Sequence, residues 1–177
     1  MYKPIMKKKL IFSLLTSLVV GACTYNTAVT NTPGNTNPSI DQRSYKLGNI
    51  GAFGEMVNVG IKKLALSAAL SPEEMDALIE EAARVAKRNN VEIHREKEFL
   101  VTDLFPESVT NGKHVLLIYK GSTKEEYMAL KNKKAKLIEL KQYKGQARKE
   151  IARQFGRMLS YPESKIDELI NQNKPEK

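Results

Sequence analysis

The segment HVLLIYK, residues 114–120, contains five consecutive apolar or aromatic residues and sets the fold class. A strand that faces water on one side alternates apolar and polar residues, and this run does not alternate. We therefore expect a strand that is covered on both faces. Upstream, residues 91–105 alternate at first and end in the apolar cluster FLVTDLF, before a loop that contains Pro106 and Asn111-Gly112. The pattern predicts that the two runs form a hairpin.

Helices are predicted on either side of this pair of strands. Ser71-Pro72-Glu73-Glu74 is a strong helix start, because Ser71 and Glu74 can form a capping box and Pro72 suits the first turn. Apolar residues then recur at helical spacing as far as Ala86. Further helices are predicted from Ser122-Thr123, across residues 146–159 and across residues 162–172.

Two segments admit alternative interpretations. Residues 48–70 are rich in glycine; a helix from about Ala52 places Phe53, Met56, Val57, Ile61 and Leu64 on one side. We favour packing of this side on the core over its lying on a membrane.

Residues 134–143 either continue a helix or form a third strand. We favour the strand, because lysines interrupt the apolar helical seam at 131–134.

These elements predict an α+β fold, with a small antiparallel sheet of two or three strands packed against several helices. Residues 46–173 are enough for a single domain with one core, and residues 174–177 form a tail.

The N-terminus has the pattern of an export signal. Lys7, Lys8 and Lys9 precede the apolar run 10–20, which is too short to span a bilayer, and the small residues Gly21 and Ala22 follow. Translation starts at Met1 or at Met6, since the segment MKKKLIF, residues 6–12, already contains the positive block of an export signal.

Val20-Gly21-Ala22-Cys23 resembles the lipobox of bacterial lipoproteins, with Val20 where leucine is commonest. The resemblance covers only residues 1–23. It implies that residues 1–22 are removed as a signal peptide and that Cys23, the only cysteine, becomes the acylated first residue. In lipoproteins of enteric type, a residue other than aspartate at position 24 goes with delivery to the outer membrane, facing the periplasm. Thr24 therefore implies that location in a double-membraned host.

Residues 23–45 are predicted to be a lipidated cysteine followed by a flexible linker. Residues 24–40 contain five Thr, four Asn, two Pro and one Gly and no charged residue, so this stretch lacks the apolar content of a packed segment. We expect it to hold the domain away from the membrane surface.

Charge is distributed unevenly along the mature chain, which has 25 basic and 20 acidic residues and a net charge of +5. Residues 71–110 carry ten acids and five bases, whereas residues 120–157 carry twelve bases and four acids. On a helix, Lys149, Arg153 and Arg157 would form one row of cations. We therefore hypothesise an anion-binding face. Its residues are Lys131, Lys133, Lys134, Lys136, Arg148, Lys149, Arg153 and Arg157. Internal pairing with the acidic segment, or a plain solvated face, remains an alternative.

No motif for catalysis, a metal or a cofactor is present in the sequence. With a turn near residue 109, His94 and His114 would lie roughly 30 Å apart, too far to share a metal ion. Glu92, Glu96 and Glu98 are expected along an exposed strand edge. We expect no enzyme activity, no metal and no cofactor.

These patterns predict a membrane-anchored envelope lipoprotein that acts as a binding or accessory module for an anionic partner. That partner is a lipid headgroup, lipopolysaccharide, an acidic polymer or an acidic protein surface. Nucleic acid is not expected, because no aromatic-rich face accompanies the bases. The alternatives are a structural lipoprotein subunit of a secretion, conjugation or cell-wall-linked assembly and, less favoured, an envelope enzyme with an unusual site.

Replacing Cys23 by Ser should abolish lipidation and signal-peptide removal at this site, because the thiol is the group that accepts the lipid. Metabolic labelling with palmitate and the mass of the mature N-terminus measure both effects. A labelled variant, or a wild-type N-terminus other than Cys23, would contradict the resemblance.

Overall fold

The computed structural model describes residues 40–105 and 107–173. Within these ranges the chain forms five α-helices and three β-strands, with a short 3₁₀ turn at Glu107–Val109. The elements are α1 Gln42–Asn58, β1 Leu64–Leu66, α2 Pro72–Arg88, β2 Glu92–Glu96, β3 Val115–Tyr119, α3 Thr123–Glu139, α4 Gly145–Met158 and α5 Glu163–Gln172. The predicted signal peptide, Cys23, the predicted linker as far as residue 39 and the predicted tail at 174–177 lie outside the described residues.

The three strands form one antiparallel sheet in the order β1-β3-β2. Leu64 of β1 and Glu92 of β2 both pair with Tyr119, on opposite edges of β3. The predicted α+β class is therefore confirmed, and the run 114–120 supplies the central strand.

Both faces of β3 are covered, as its unbroken apolar sequence predicts. Leu116 and Ile118 belong to a core that includes residues of α1 and α2. Leu117 and Tyr119 belong to a second core formed with α3, α4 and α5. All five residues of β3 are buried.

Helix α2 begins as its sequence predicts. The Ser71 hydroxyl accepts a hydrogen bond from the Glu74 backbone N–H at 3.2 Å, and the Glu74 carboxylate accepts one from the Ser71 N–H at 3.0 Å. Each side chain satisfies a backbone N–H that the first turn of a helix leaves free.

Helix α1 differs from the prediction at both ends. It begins at Gln42, before the expected linker boundary at 45, because Asp41 caps it by accepting a hydrogen bond from the Arg43 N–H at 3.1 Å. It ends at Asn58, so Leu64 lies in β1 and Ile61 is exposed.

The glycines of α1 lower its helix propensity, but they also allow it to pack closely against α2. A Cβ atom on Gly54 would lie 3.2 Å from Cβ of Asn89 and 3.3 Å from Cγ2 of Val91, and one on Gly51 would lie 3.5 Å from Cγ1 of Val85. The missing side chains let α1 approach the end of α2 closely. The stability gained by that packing outweighs the low helix propensity of glycine.

Residues 134–139 belong to α3, so the favoured prediction of a strand there is wrong. Leu137 is partly buried against the core of α3, α4 and α5, whereas Lys131 and Lys134 before it donate hydrogen bonds to Glu96 and to the carbonyl oxygen of Val101. The third strand of the sheet is β1. Lys141 ends the helical region with a φ of 57°, a conformation that costs a non-glycine residue some strain.

In the part of the chain that the structure describes, no helix is long and apolar enough to cross a membrane.

Replacing Gly156 by Ala should destabilise the protein. The new Cβ would lie 2.6 Å from Cγ1 of Ile166, so α4 and α5 would have to move apart. We expect a net loss of about 1–3 kcal/mol in the free energy of unfolding, measured by denaturant titration. Gly48 is the control, because a Cβ atom there meets no atom within 4 Å. Replacing Gly48 by Ala should raise the free energy of unfolding by about 0.5–1 kcal/mol, since Ala is the better helix former. Equal effects at the two positions would contradict the close α4–α5 packing.

Candidate functional site

The structure divides the eight candidate cations into a paired and an unpaired group. Four of them form ion pairs with acids on other elements. These pairs are Lys131–Glu96, Arg148–Asp103, Arg153–Asp167 and Arg157–Glu163. A paired cation has less charge to offer to an outside anion, so fewer of the eight residues remain as candidates for anion binding than the sequence suggests.

The predicted row on α4 is present but largely neutralised. Arg153 donates to Asp167 at 2.6 Å and Arg157 donates to Glu163 at 2.6 Å, both across the α4–α5 contact. These partners lie on α5, outside the acidic segment 71–110 that the alternative hypothesis named. Internal pairing with the segment 71–110 is found instead for Lys131, with Glu96, and for Arg148, with Asp103.

Glu96 is buried, 4% exposed, so its expected place on an exposed strand edge is wrong. Its Oε1 accepts hydrogen bonds from Lys131 Nζ at 3.0 Å and from the Glu98 N–H at 2.9 Å, whereas Oε2 has no partner among the described residues. The hydroxyl of Tyr127 accepts from the Leu100 N–H at 2.9 Å. Burial raises the pKa of Tyr127, and the charge of Glu96 raises it further. This cluster joins the end of β2 to α3.

Asp103 lies in a cleft of about 300 Å³ with two of the candidate cations. The cleft is lined by Val101, Thr102, Asp103, Phe105, Glu107, Lys134, Tyr143, Arg148 and Asn173. Arg148 Nε donates to both oxygens of the buried Asp103 carboxylate, at 2.7 and 3.0 Å. Lys134 Nζ donates to the carbonyl oxygen of Val101 at 2.7 Å and lies 5.2 Å from the centre of the Tyr143 ring. We call this the Asp103 cleft.

The Asp103 cleft shifts the pKa values of its own groups. The hydrogen bond to Asp103 raises the pKa of Arg148. Burial lowers the pKa of Lys134, and the nearby charge of Arg148 lowers it further. Burial, helped by the Asp103 charge, raises the pKa of Tyr143.

A second group of cations stands at the C-terminal end of α3 and in the turn that follows it. Lys133, Lys136, Lys141 and Lys144 are exposed, and none of them forms an ion pair within residues 40–105 and 107–173. Two large apolar side chains lie among them in sequence: Ile138 is 53% exposed and Leu140 is 62% exposed. We call these six residues the lysine tip. A shallow groove of about 460 Å³ adjoins Lys133, Lys136 and Leu140.

The two histidines are closer together than predicted. His94 pairs with Leu117, and His114 lies three residues before Leu117, next to the start of β3, so the two histidines are about 10 Å apart. His114 Nδ1 contacts Nε of Arg95 at 2.9 Å, and Arg95 also forms an ion pair with Asp76. Within the described ranges, no group of three or more His, Cys, Asp or Glu side chains is placed to hold a metal ion.

Sequence reasoning missed several residues of these surfaces. Asp103 carries a usable signal, since it is the only acid inside the apolar cluster FLVTDLF, and a buried acid requires a cationic partner. Ile138 and Leu140 were assigned to a strand, so their exposure on a helix end was not expected. Tyr143 carries no such signal.

Comparisons of the chain with protein-family models, curated proteins and solved structures find no match.

Replacing Arg148 by Met should lower the free energy of unfolding by about 2–3 kcal/mol, because it leaves the buried Asp103 carboxylate without its partner. Lys149 is the matched control: it is adjacent and exposed, so Met there should change stability by less than about 0.5 kcal/mol. Urea titration of both variants measures the difference. Similar stabilities would show that the Asp103 pair does not support the fold.

Proposed function

We propose that this protein is a lipid-anchored accessory protein of the bacterial envelope whose lysine tip binds an anionic lipid surface. The observation that carries the proposal is the exposure of Ile138 and Leu140 among four lysines that form no ion pair in the described part of the chain. Residues 131–149 contain eight bases and one acid, and six of the bases remain after Lys131 and Arg148 pair with Glu96 and Asp103. The end of α3 and the turn after it are therefore positive.

The chemistry of the lysine tip fits the boundary between lipid headgroups and acyl chains. Each lysine near an anionic surface contributes about 1 kcal/mol of attraction. Apolar side chains gain further free energy when they enter the headgroup region. A soluble acidic polymer would use the lysines and leave the two apolar side chains in water, so lipid explains more of the surface.

The N-terminal resemblance to lipoproteins supports the same proposal. An acylated Cys23 would hold the domain beside a membrane, which raises the local concentration of headgroups at the lysine tip. In a double-membraned host, that membrane would be the outer membrane and the domain would face the periplasm.

A structural subunit of an envelope assembly is the second candidate. A separate apolar patch favours it, at the turn between α1 and β1, where Val59 is 61% exposed and Ile61 is 67% exposed. Exposed apolar side chains that lie together form the kind of patch that protein–protein contacts use, whereas isolated ones carry no such signal.

Replacing both Lys136 and Lys144 by Gln should weaken binding to anionic vesicles by about 2 kcal/mol, roughly 30-fold, because two charges leave the surface. Co-sedimentation of residues 24–177 with vesicles that contain anionic lipid, at low and physiological salt, measures this. The control replaces Lys87 and Arg88, which are exposed at the end of α2, by Gln. This control removes the same charge and should weaken vesicle binding by less than about threefold, because the two residues lie away from the lysine tip.

Three outcomes would count against the lipid surface. One is an equal loss of vesicle binding in the two double variants, which would indicate that binding depends only on the net charge of the protein. Another is unchanged binding after Ile138→Ser and Leu140→Ser together, which would favour an acidic polymer. If wild type does not bind at low salt, the structural subunit becomes the better proposal.

A further inference from the structure

The Asp103 cleft holds two cations and two carboxylates, of which only Arg148 and Asp103 form an ion pair. Arg148 is neutralised by Asp103, and Glu107 lies at the rim with an exposed side chain. Lys134 is half-buried, and its Nζ has no carboxylate within ion-pair distance among the described residues. An ammonium group that is withdrawn from water beside a second cation is unfavourable unless an anion accompanies it.

The cleft also keeps hydrogen-bond donors that are not used internally. The Lys134 ammonium has three N–H groups, of which one donates to the carbonyl oxygen of Val101. Arg148 uses Nε and Nη2 for Asp103, which leaves Nη1 outside that pair. An oxyanion that enters beside Tyr143 would meet donors from both side chains.

The walls of the cleft limit the charge and shape of such an anion. A doubly charged phosphate would face the carboxylates of Asp103 and Glu107 as well as the cations, so a singly charged group is the better match. Phe105 and Tyr143 line the same space and offer an apolar surface to the rest of the ligand. A volume of about 300 Å³ accommodates a small ligand.

We propose that the Asp103 cleft binds a small monocarboxylate with an apolar or aromatic body. Lys134 Nζ and Arg148 Nη1 donate to the carboxylate, and Phe105 and Tyr143 pack against the body. Asp103 positions Arg148. This site is separate from the lysine tip, and it does not depend on the membrane binding proposed above.

Benzoate is the probe for this site, with acetate and inorganic phosphate compared at equal ionic strength. NMR of the Lys134 side chain follows the titration in the full chain, purified in a neutral detergent without vesicles. Benzoate should produce a saturable shift and raise the pKa of Lys134, because its negative charge favours the charged ammonium. Acetate and phosphate should bind more weakly than benzoate.

Two variants test the assignment by isothermal titration calorimetry. Lys134→Met should weaken benzoate binding by about tenfold or more, through loss of a charge-assisted hydrogen bond. Lys149→Met removes the same charge from the neighbouring surface and should leave it unchanged. Melting temperatures check that both variants are folded.

The proposal is overturned if wild type shows no saturable response, or if Lys134→Met and Lys149→Met bind equally. It is also overturned if phosphate binds more tightly than benzoate. The pKa of Lys134 in wild type is a test that needs no variant: an unchanged value in saturating benzoate contradicts the site. A failure of vesicle binding at the lysine tip would not alter any of these results.

Discussion

Burial of β3 on both faces is the constraint on which the other elements depend. Each large apolar side chain that leaves water contributes about 1.5–3 kcal/mol, and β3 has such residues on both sides. Its backbone is also satisfied on both edges, by β1 and by β2. Helices α1 and α2 must therefore cover one face while α3, α4 and α5 cover the other. Both candidate surfaces, the lysine tip and the Asp103 cleft, include residues of the layer formed by α3, α4 and α5.

Much of the fold can be predicted from local patterns. The capping box of α2, the unbroken apolar run of β3 and the helical spacing of α4 each carry their own signal. The errors occur where tertiary packing outweighs local preference. Glycine has a low helix propensity, yet Gly51 and Gly54 allow α1 to pack closely on α2. Lysines interrupt the apolar pattern at 131–134, yet α3 continues because Leu137 still reaches the core.

The candidate surfaces are predictable only in part, because ion pairing joins residues that are distant in sequence. The spacing of Arg153 and Arg157 correctly puts them on one helix face, but nothing in that spacing reveals their partners on α5. Glu96 looks like an exposed residue of an alternating strand, and its burial follows only from the position of α3 above β2. Lys134 and Arg148 were predicted as surface cations, whereas the structure brings them together in a cleft with Asp103.

The strand order β1-β3-β2 has a consequence for how the chain reaches its native state. The central strand is the last of the three to be synthesised, so neither edge strand can form its native pairing before residue 115 emerges. Leu64 must then find Tyr119 across α2, β2 and a long loop, a contact between distant positions that slows folding relative to a purely helical protein. Until that contact forms, the apolar faces of α1 and α2 lack the sheet that covers them. A chain in this condition keeps apolar surface exposed to water for longer, and that surface is available for association with other unfolded chains.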